Sequence, residues 1–208
     1  MRHGRTAWND AGRFQGQTDI PLDDHGVEQA RRAAAHLVDL APHAIIVSDL
    51  QRARATAAPL TELTGLTAVI DADLRETWAG EWEGLTHVEI RERYGDALDR
   101  WSTGADLRPG GGETRLEVAL RVRRAVDRAL ESLPSGGTLV VVTHGGAARA
   151  GICSFLGLPP ENWGALGVLA NCSWSVLVES GTYEGSIRWR LMEYNARSLP
   201  TAAVGDDR

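Results

Sequence analysis

The sequence predicts an α/β fold: a three-layer sandwich with a mostly parallel central sheet flanked by helices. Three observations predict it. Short unbroken apolar runs, at Ala44–Val47 and over residues 138–143, read as strands covered on both faces. Segments with apolar residues at helical spacing stand between such runs. The two kinds of segment alternate along most of the chain, the pattern of a parallel sheet between helical layers.

In chain order, Asp23 or Asp24 caps a helix over residues 27–40, with Val27, Ala30, Ala34, Leu37 and Val38 at helical spacing. The Ala44–Val47 strand follows, then a helix over 52–63 and a weak strand at 67–70. Helical spacing returns over 88–94 and, more strongly, over 113–133. The clearest strand is 138–143; Gly145-Gly146 ends it, and an alanine-rich helix runs on to about 156. Strands at 173–178 and 187–192 are joined by a turn near 181–185. With no internal repeat, residues 1–197 read as one domain. Residues 198–208, with Pro200, Gly205 and two aspartates, read as a flexible tail. In such sheets ligands bind at the carboxyl ends of the strands, which directs attention to the residues just after each strand.

The chain has 208 residues, 43% of them apolar, enough for a single core without covalent staples. Its two cysteines, Cys153 and Cys172, have no CxxC spacing, which excludes a disulfide framework or a four-ligand zinc site and suits a reducing, cytoplasmic setting. The longest apolar runs are far short of the roughly 18 residues of a membrane span, and no secretory leader is expected. The net charge of −6 argues against a nucleic-acid partner. All 22 basic residues are arginine. Fixed positive charge in any active site must therefore come from arginine, or from histidine if protonated.

Three segments carry the chemistry, two of them at strand ends. They are Arg2-His3-Gly4-Arg5-Thr6, Ser48-Asp49-Leu50-Gln51-Arg52-Ala53 and Thr143-His144-Gly145-Gly146. Brought together, they would offer two histidines and at least two arginines around one hole. The arginine fork suits a phosphoryl group, and strand-to-helix turns add backbone N–H donors.

Arg2-His3-Gly4 resembles the signature of the histidine phosphatase, or phosphoglycerate-mutase-like, superfamily. The resemblance extends, in the family's order, through residues 6–9, Gln15-Gly16, Ser48-Asp49-Leu50-x-Arg52-Ala53-x-x-Thr56-Ala57, Leu74-Arg75-Glu76, Gly80-x-Trp82-Glu83-Gly84, Pro109-Gly110-Gly111 with Glu113, and Thr143-His144-Gly145. It implies a phosphoglycerate mutase-like fold, no cofactor and no metal. It implies that His3 is the nucleophile, taking the phosphoryl group as a phosphohistidine. Arg2, Arg52 and His144, helped by Asn9, would bind the phosphoryl oxygens, with Gln15 and Gly16 touching substrate. Glu76 would be the general acid and base, although it might instead pair with Arg75. Neighbouring arginines would keep the His3 imidazole unprotonated and nucleophilic.

Histidines 25, 36, 43 and 87 read as ordinary surface or helix residues, and Trp78 and Trp82 as packing beneath the site. The short path from Glu76 to Gly80-Glu81-Trp82-Glu83-Gly84, with no basic insert, is the form associated with phosphatases. Segments of the C-terminal third resemble superfamily phosphatases that act on a glycerate phosphate carrying a sugar. The expected function is thus a metal-independent phosphomonoesterase for a phosphorylated glycerate or sugar metabolite. The alternatives are a cofactor-dependent mutase and a non-catalytic phospho-ligand binding module. A homodimer is expected from the resemblance, and Trp163, Trp174 and Trp189 could serve either core or dimer face. The family's apolar strand before Arg-His-Gly is represented here only by Met1. A longer product is therefore expected, and in the present chain a gap in the sheet with His3 loosely held.

Overall fold

The computed structural model describes residues 1–105, 107–183 and 186–197; the expected tail, 198–208, lies outside the described residues. Helix α1 (Ala7–Asp10) precedes α2 (Asp24–Leu37), β1 (Ala44–Val47), α3 (Gln51–Thr64) and β2 (Val69–Ile70). Then come α4 (His87–Tyr94), α5 (Ala97–Ser102), α6 (Arg115–Leu130), β3 (Leu139–Val142), α7 (Gly145–Phe155), β4 (Trp174–Tyr183) and β5 (Ser186–Ala196). The helix starts follow from local side-chain caps. Asp23 accepts from the Gly26 N–H, and Thr6, Thr86 and Thr114 each form a reciprocal capping box with the residue three positions on.

Strands β2, β1 and β3 form a parallel sheet in that order. Because side chains alternate across a strand, the sheet builds two apolar layers. Ile45, Val47, Val140 and Val142 pack on Ala34 and Leu37 of α2 and Ala53, Ala57 and Leu60 of α3. Ile46 faces the other way with Leu139 and Val141, against Val118, Val122 and Ala125 of α6 and Ala147, Ala150 and Cys153 of α7. This is the expected three-layer sandwich. Strands β4 and β5 form a separate antiparallel hairpin, longer than the alternation suggested and carrying register shifts. Residues 184 and 185, within the turn expected near 181–185, lie outside the described residues.

The expected gap in the sheet is not seen. Met1 to His3 runs beside β3: the terminal ammonium donates to Val141 O at 2.8 Å, the Thr143 N–H to Met1 O at 2.9 Å and the His3 N–H to Thr143 O at 2.9 Å. The other edge of the segment is paired too, Arg2 N–H to Ser173 O at 3.0 Å and Cys172 N–H to His3 O at 3.1 Å. His3 is therefore only 2% exposed and does not hang free. Backbone pairing on both sides aims it.

Trp163 is core, packed with α6 and α7. Trp174 lies against α2, and Trp189 meets the Phe155 ring edge-on. Trp82 is buried among Phe14, Ile90 and Trp101 as expected. Trp78, in contrast, is 49% exposed. The apolar space beneath is filled by Trp82 and its neighbours, while the Trp78 backbone is pinned on both its N–H and C=O by Glu113. No helix among the described residues is long and apolar enough to cross a membrane.

The His3 segment is clamped between β3 and α2 by two glycines. A methyl group on Gly4 would lie 2.5 Å from Gly26 O, and one on Gly26 would lie 2.1 Å from Arg5 O. Gly26→Ala is expected to cost about 1–3 kcal/mol through overpacking, seen as a drop of roughly 2–10 °C in Tm. An unchanged Tm would mean that this contact is not tight.

Candidate active site

Histidine 3 and His144 sit side by side at the carboxyl end of the sheet, ring centroids 5.1 Å apart. Each ring has an assigned proton because its partner permits one direction only. The Nδ1–H of His3 donates to Gly4 O at 2.7 Å; a carbonyl cannot donate, so Nε2 keeps its lone pair. The His144 Nδ1 accepts from the Arg52 Nε–H at 3.2 Å, which puts its proton on Nε2, donated to Ser48 Oγ at 2.9 Å.

Arg52 enters from the first turn of α3, just after β1, and is fully buried. Its three bonds all go to neutral acceptors: His144, Thr18 O at 2.8 Å and Gly16 O at 2.7 Å. Burial pulls its pKa down to about 10, which leaves it protonated at neutral pH. Burial, reinforced by Arg52 and then Arg2, holds the His3 pKa well below the usual histidine range. His144 is depressed likewise, by burial first and then by Arg52. Arg2 is tethered by one guanidinium nitrogen to Leu169 O at 2.5 Å.

Glu76 caps α7. Its carboxylate accepts from the Gly146 N–H at 3.0 Å and the Ala147 N–H at 2.9 Å, two first-turn donors without an intrahelical partner. The alternative pairing with Arg75 is not made, since Arg75 bonds Asp49 at 2.5–3.0 Å instead. A side chain at Gly146 would strike Glu76, its Cβ 2.7 Å from Oε1, so glycine is required where the acid meets the helix.

The remaining expected contacts lie around this centre. The Asn9 oxygen is committed to Thr6 and to the Asn171 amide at 3.2 Å. The Gln15 side chain is buried, and its Oε1 has no partner among the described residues. Gly16, at φ +49°, contributes its carbonyl to Arg52. Histidines 25, 36 and 43 are exposed, and His87 meets Phe14.

Some members of the site were not singled out by the sequence reading. Ser48, fully buried, fixes the His144 ring. Arg121 is 8% exposed and forms a two-pronged pair with Glu113, while donating to the carbonyls of Asp73, Arg75 and Glu76. It thereby fixes the backbone that carries the acid. A charged residue on the apolar stripe Val118–Val122–Ala125 was the available signal. Among the described residues no group of three or more His, Cys, Asp and Glu side chains could hold a metal ion. A surface depression of about 650 Å³ between α3 and β2 contains neither histidine. The convergence of buried titratable groups, rather than cavity size, marks the candidate site.

Comparison with known proteins agrees with this geometry. The family described as the histidine phosphatase superfamily (branch 1) matches residues 1–195. A glucosyl-3-phosphoglycerate phosphatase of Mycobacterium tuberculosis is 42% identical over 98% of this chain and 96% of its own length. One from Mycolicibacterium vanbaalenii is 39% identical over all of this chain and 96% of its own. The solved structure of mycobacterial glucosyl-3-phosphoglycerate phosphatase with VO3 superposes with a TM-score of 0.88 at 42% identity, covering 94% of this chain and 96% of that one.

Burying two neutral imidazoles has a stability consequence. Unfolded, both take up protons near pH 6.5; folded, they stay neutral to much lower pH. Below about pH 6.5 the unfolded state therefore binds more protons, and stability falls as pH falls by about 1.4 kcal/mol per pH unit for each histidine. Urea unfolding between pH 7.5 and 5.5 should show this slope reduced by one histidine's share in His3→Gln. An identical slope in the variant would mean that His3 is not held neutral.

Proposed function

Because the chain belongs to the histidine phosphatase superfamily, we propose that it is a metal-independent phosphomonoesterase working through a phosphohistidine on His3, with glucosyl-3-phosphoglycerate as its substrate. The observation that carries the mechanism is the Nδ1–H bond of His3 to Gly4 O, which leaves Nε2 nucleophilic among guanidinium groups. The substrate assignment is supported by the near-full-length similarity to phosphatases of that name.

In the first step Nε2 attacks phosphorus; the N–P bond forms as the ester P–O bond breaks, and Glu76 gives its proton to the leaving alcohol oxygen. Arg2 and Arg52 receive the phosphoryl oxygens as fixed cations, so the transition-state charge is met without a metal ion. His144 first aims Arg52. When substrate arrives it exchanges Ser48 for a phosphoryl oxygen and supplies its Nε2–H. Asn9 adds its amide N–H, and Gln15 offers its unpartnered amide oxygen to a substrate hydroxyl. A water then attacks phosphorus and gives its proton to Glu76; the N–P bond breaks, releasing phosphate and restoring the neutral imidazole.

Residues 1–197 act as one domain, and the two buried free cysteines fit a reducing, cytoplasmic setting. A homodimer follows from the resemblance. A relative named as a probable phosphoglycerate mutase, from Yersinia pestis, is 38% identical over 84% of this chain, which keeps an isomerase arm in the test.

Hydrolysis of glucosyl-3-phosphoglycerate and of p-nitrophenyl phosphate should proceed with a chelator present. His3→Ala should lose at least about 10³-fold in kcat and Arg52→Ala about 10²–10³-fold. Activity that survives His3→Ala, or that disappears with chelator, defeats the mechanism. With 3-phosphoglycerate and 2,3-bisphosphoglycerate, 2-phosphoglycerate formed without net phosphate release would make the protein a mutase instead.

A further inference from the structure

We propose that Glu83 is a positioning residue for Arg52, acting through the turn at residues 16–18; this rests on the phosphatase reading above. Arg52 has five N–H donors in a rigid fork. One is spent on His144, and one on each arm is spent on Thr18 O and Gly16 O. One donor on each arm remains for the phosphoryl group, and its direction depends on where those two carbonyls stand. They belong to a turn outside any helix or strand, so something else must fix them.

The Glu83 carboxylate does so. It accepts from the Gln17 N–H at 2.8 Å, the Thr18 N–H at 3.0 Å and the Thr18 hydroxyl at 2.6 Å, and from the Ala79 N–H at 3.2 Å on the opposite side. The turn's other ties are the Thr18 N–H shared with Gln15 O at 3.0 Å, within the turn itself, and longer bonds from the Gln17 amide to Glu76 O at 3.2 Å and Glu113 at 3.4 Å and from Arg75 to the Gln17 amide oxygen at 3.4 Å. Gly16 is fitted to this arrangement: its φ is +49°, and a Cβ there would lie 2.0 Å from Glu83 Oε1. Glu83 itself is held on a rigid base. It follows the short turn Gly80–Trp82, whose Trp82 is 1% exposed, and the next N–H, of Gly84, donates to Phe14 O at 2.8 Å. Only an acceptor with several lone pairs satisfies four donors at once. Glutamine would place an NH2 group against N–H donors and release the turn.

The test compares wild type with Glu83→Gln in p-nitrophenyl phosphate hydrolysis, orthovanadate inhibition, thermal unfolding and the pH profile. If Arg52 loses its aim, kcat/KM should fall by about 10–100-fold, on the order of what a small misplacement costs. The orthovanadate inhibition constant should rise by about tenfold on the same ground. The profile separates positioning from general damage. His3 is faced by Arg2 from its own segment, Arg52 from α3 and His144 at the head of α7, with Glu76 facing Arg52. Withdrawal of Arg52 would move the acid limb of kcat/KM to higher pH, whereas loss of the Glu83 charge alone would move it lower. Should Glu83→Gln fail to fold, Thr18→Val carries the test, because it removes one of the four bonds and keeps the backbone. A loss in orthovanadate affinity of about threefold is then expected. Orthovanadate inhibition and acid limb as in wild type overturn the positioning role, and do so independently of the phosphatase reading, which stands or falls on His3→Ala.

Discussion

The site depends on burying a positive charge whose hydrogen bonds all go to neutral acceptors. Surface arginines in this protein mostly find acids, as Arg75 finds Asp49 and Arg128 finds Asp71 and Asp73. Arg52 is fully buried and bonds only to two carbonyls and an imidazole nitrogen. Removing a guanidinium from water is costly. The neutral acceptors satisfy its geometry while leaving its charge available. Burial and that same charge keep both imidazoles unprotonated, so an anion-binding hole and two neutral imidazoles are prepared by one arrangement. A phosphoryl group bearing negative charge is the natural partner of such a hole.

Keeping that arrangement rigid explains much of the surrounding structure. The sheet brings the starts of α3 and α7 together, delivering Arg52 and His144 from opposite helical layers. His3 arrives on a short segment paired on both edges. Glu76 does double service, satisfying the first-turn N–H groups of α7 while facing the Arg52 guanidinium. Behind it, the Arg121–Glu113 pair grips the carbonyls of residues 73, 75 and 76, so a buried ion pair is used to fix a loop. Each polar support is satisfied by more than one bond, which limits the side-chain motion that would blur the geometry. The glycines at 4, 16, 26 and 146 are the complement: they let backbone or carboxylate approach where any side chain would collide.

The sequence by itself determined the local elements and which polar groups to look for at the site. Strand Ala44–Val47, the helices around it and the α6 and α7 segments were legible because hydrophobic period and caps are short-range signals. Arg52 and His144 were legible at strand ends, and His3 and Glu76 through the motifs of the resemblance. Tertiary structure alone decided how those groups are held. The roles of Ser48, Glu83 and Arg121, the side on which each histidine carries its proton, and the outward turn of Trp78 rest on contacts between residues from one to almost a hundred positions apart. The security of His3 rests on partners farther still along the chain, β3 and residues 172 and 173, which the residues beside it did not suggest. A period in the sequence reports which face of an element is apolar. It does not report which distant carbonyl will stand opposite a given donor, because that is fixed only when the layers pack.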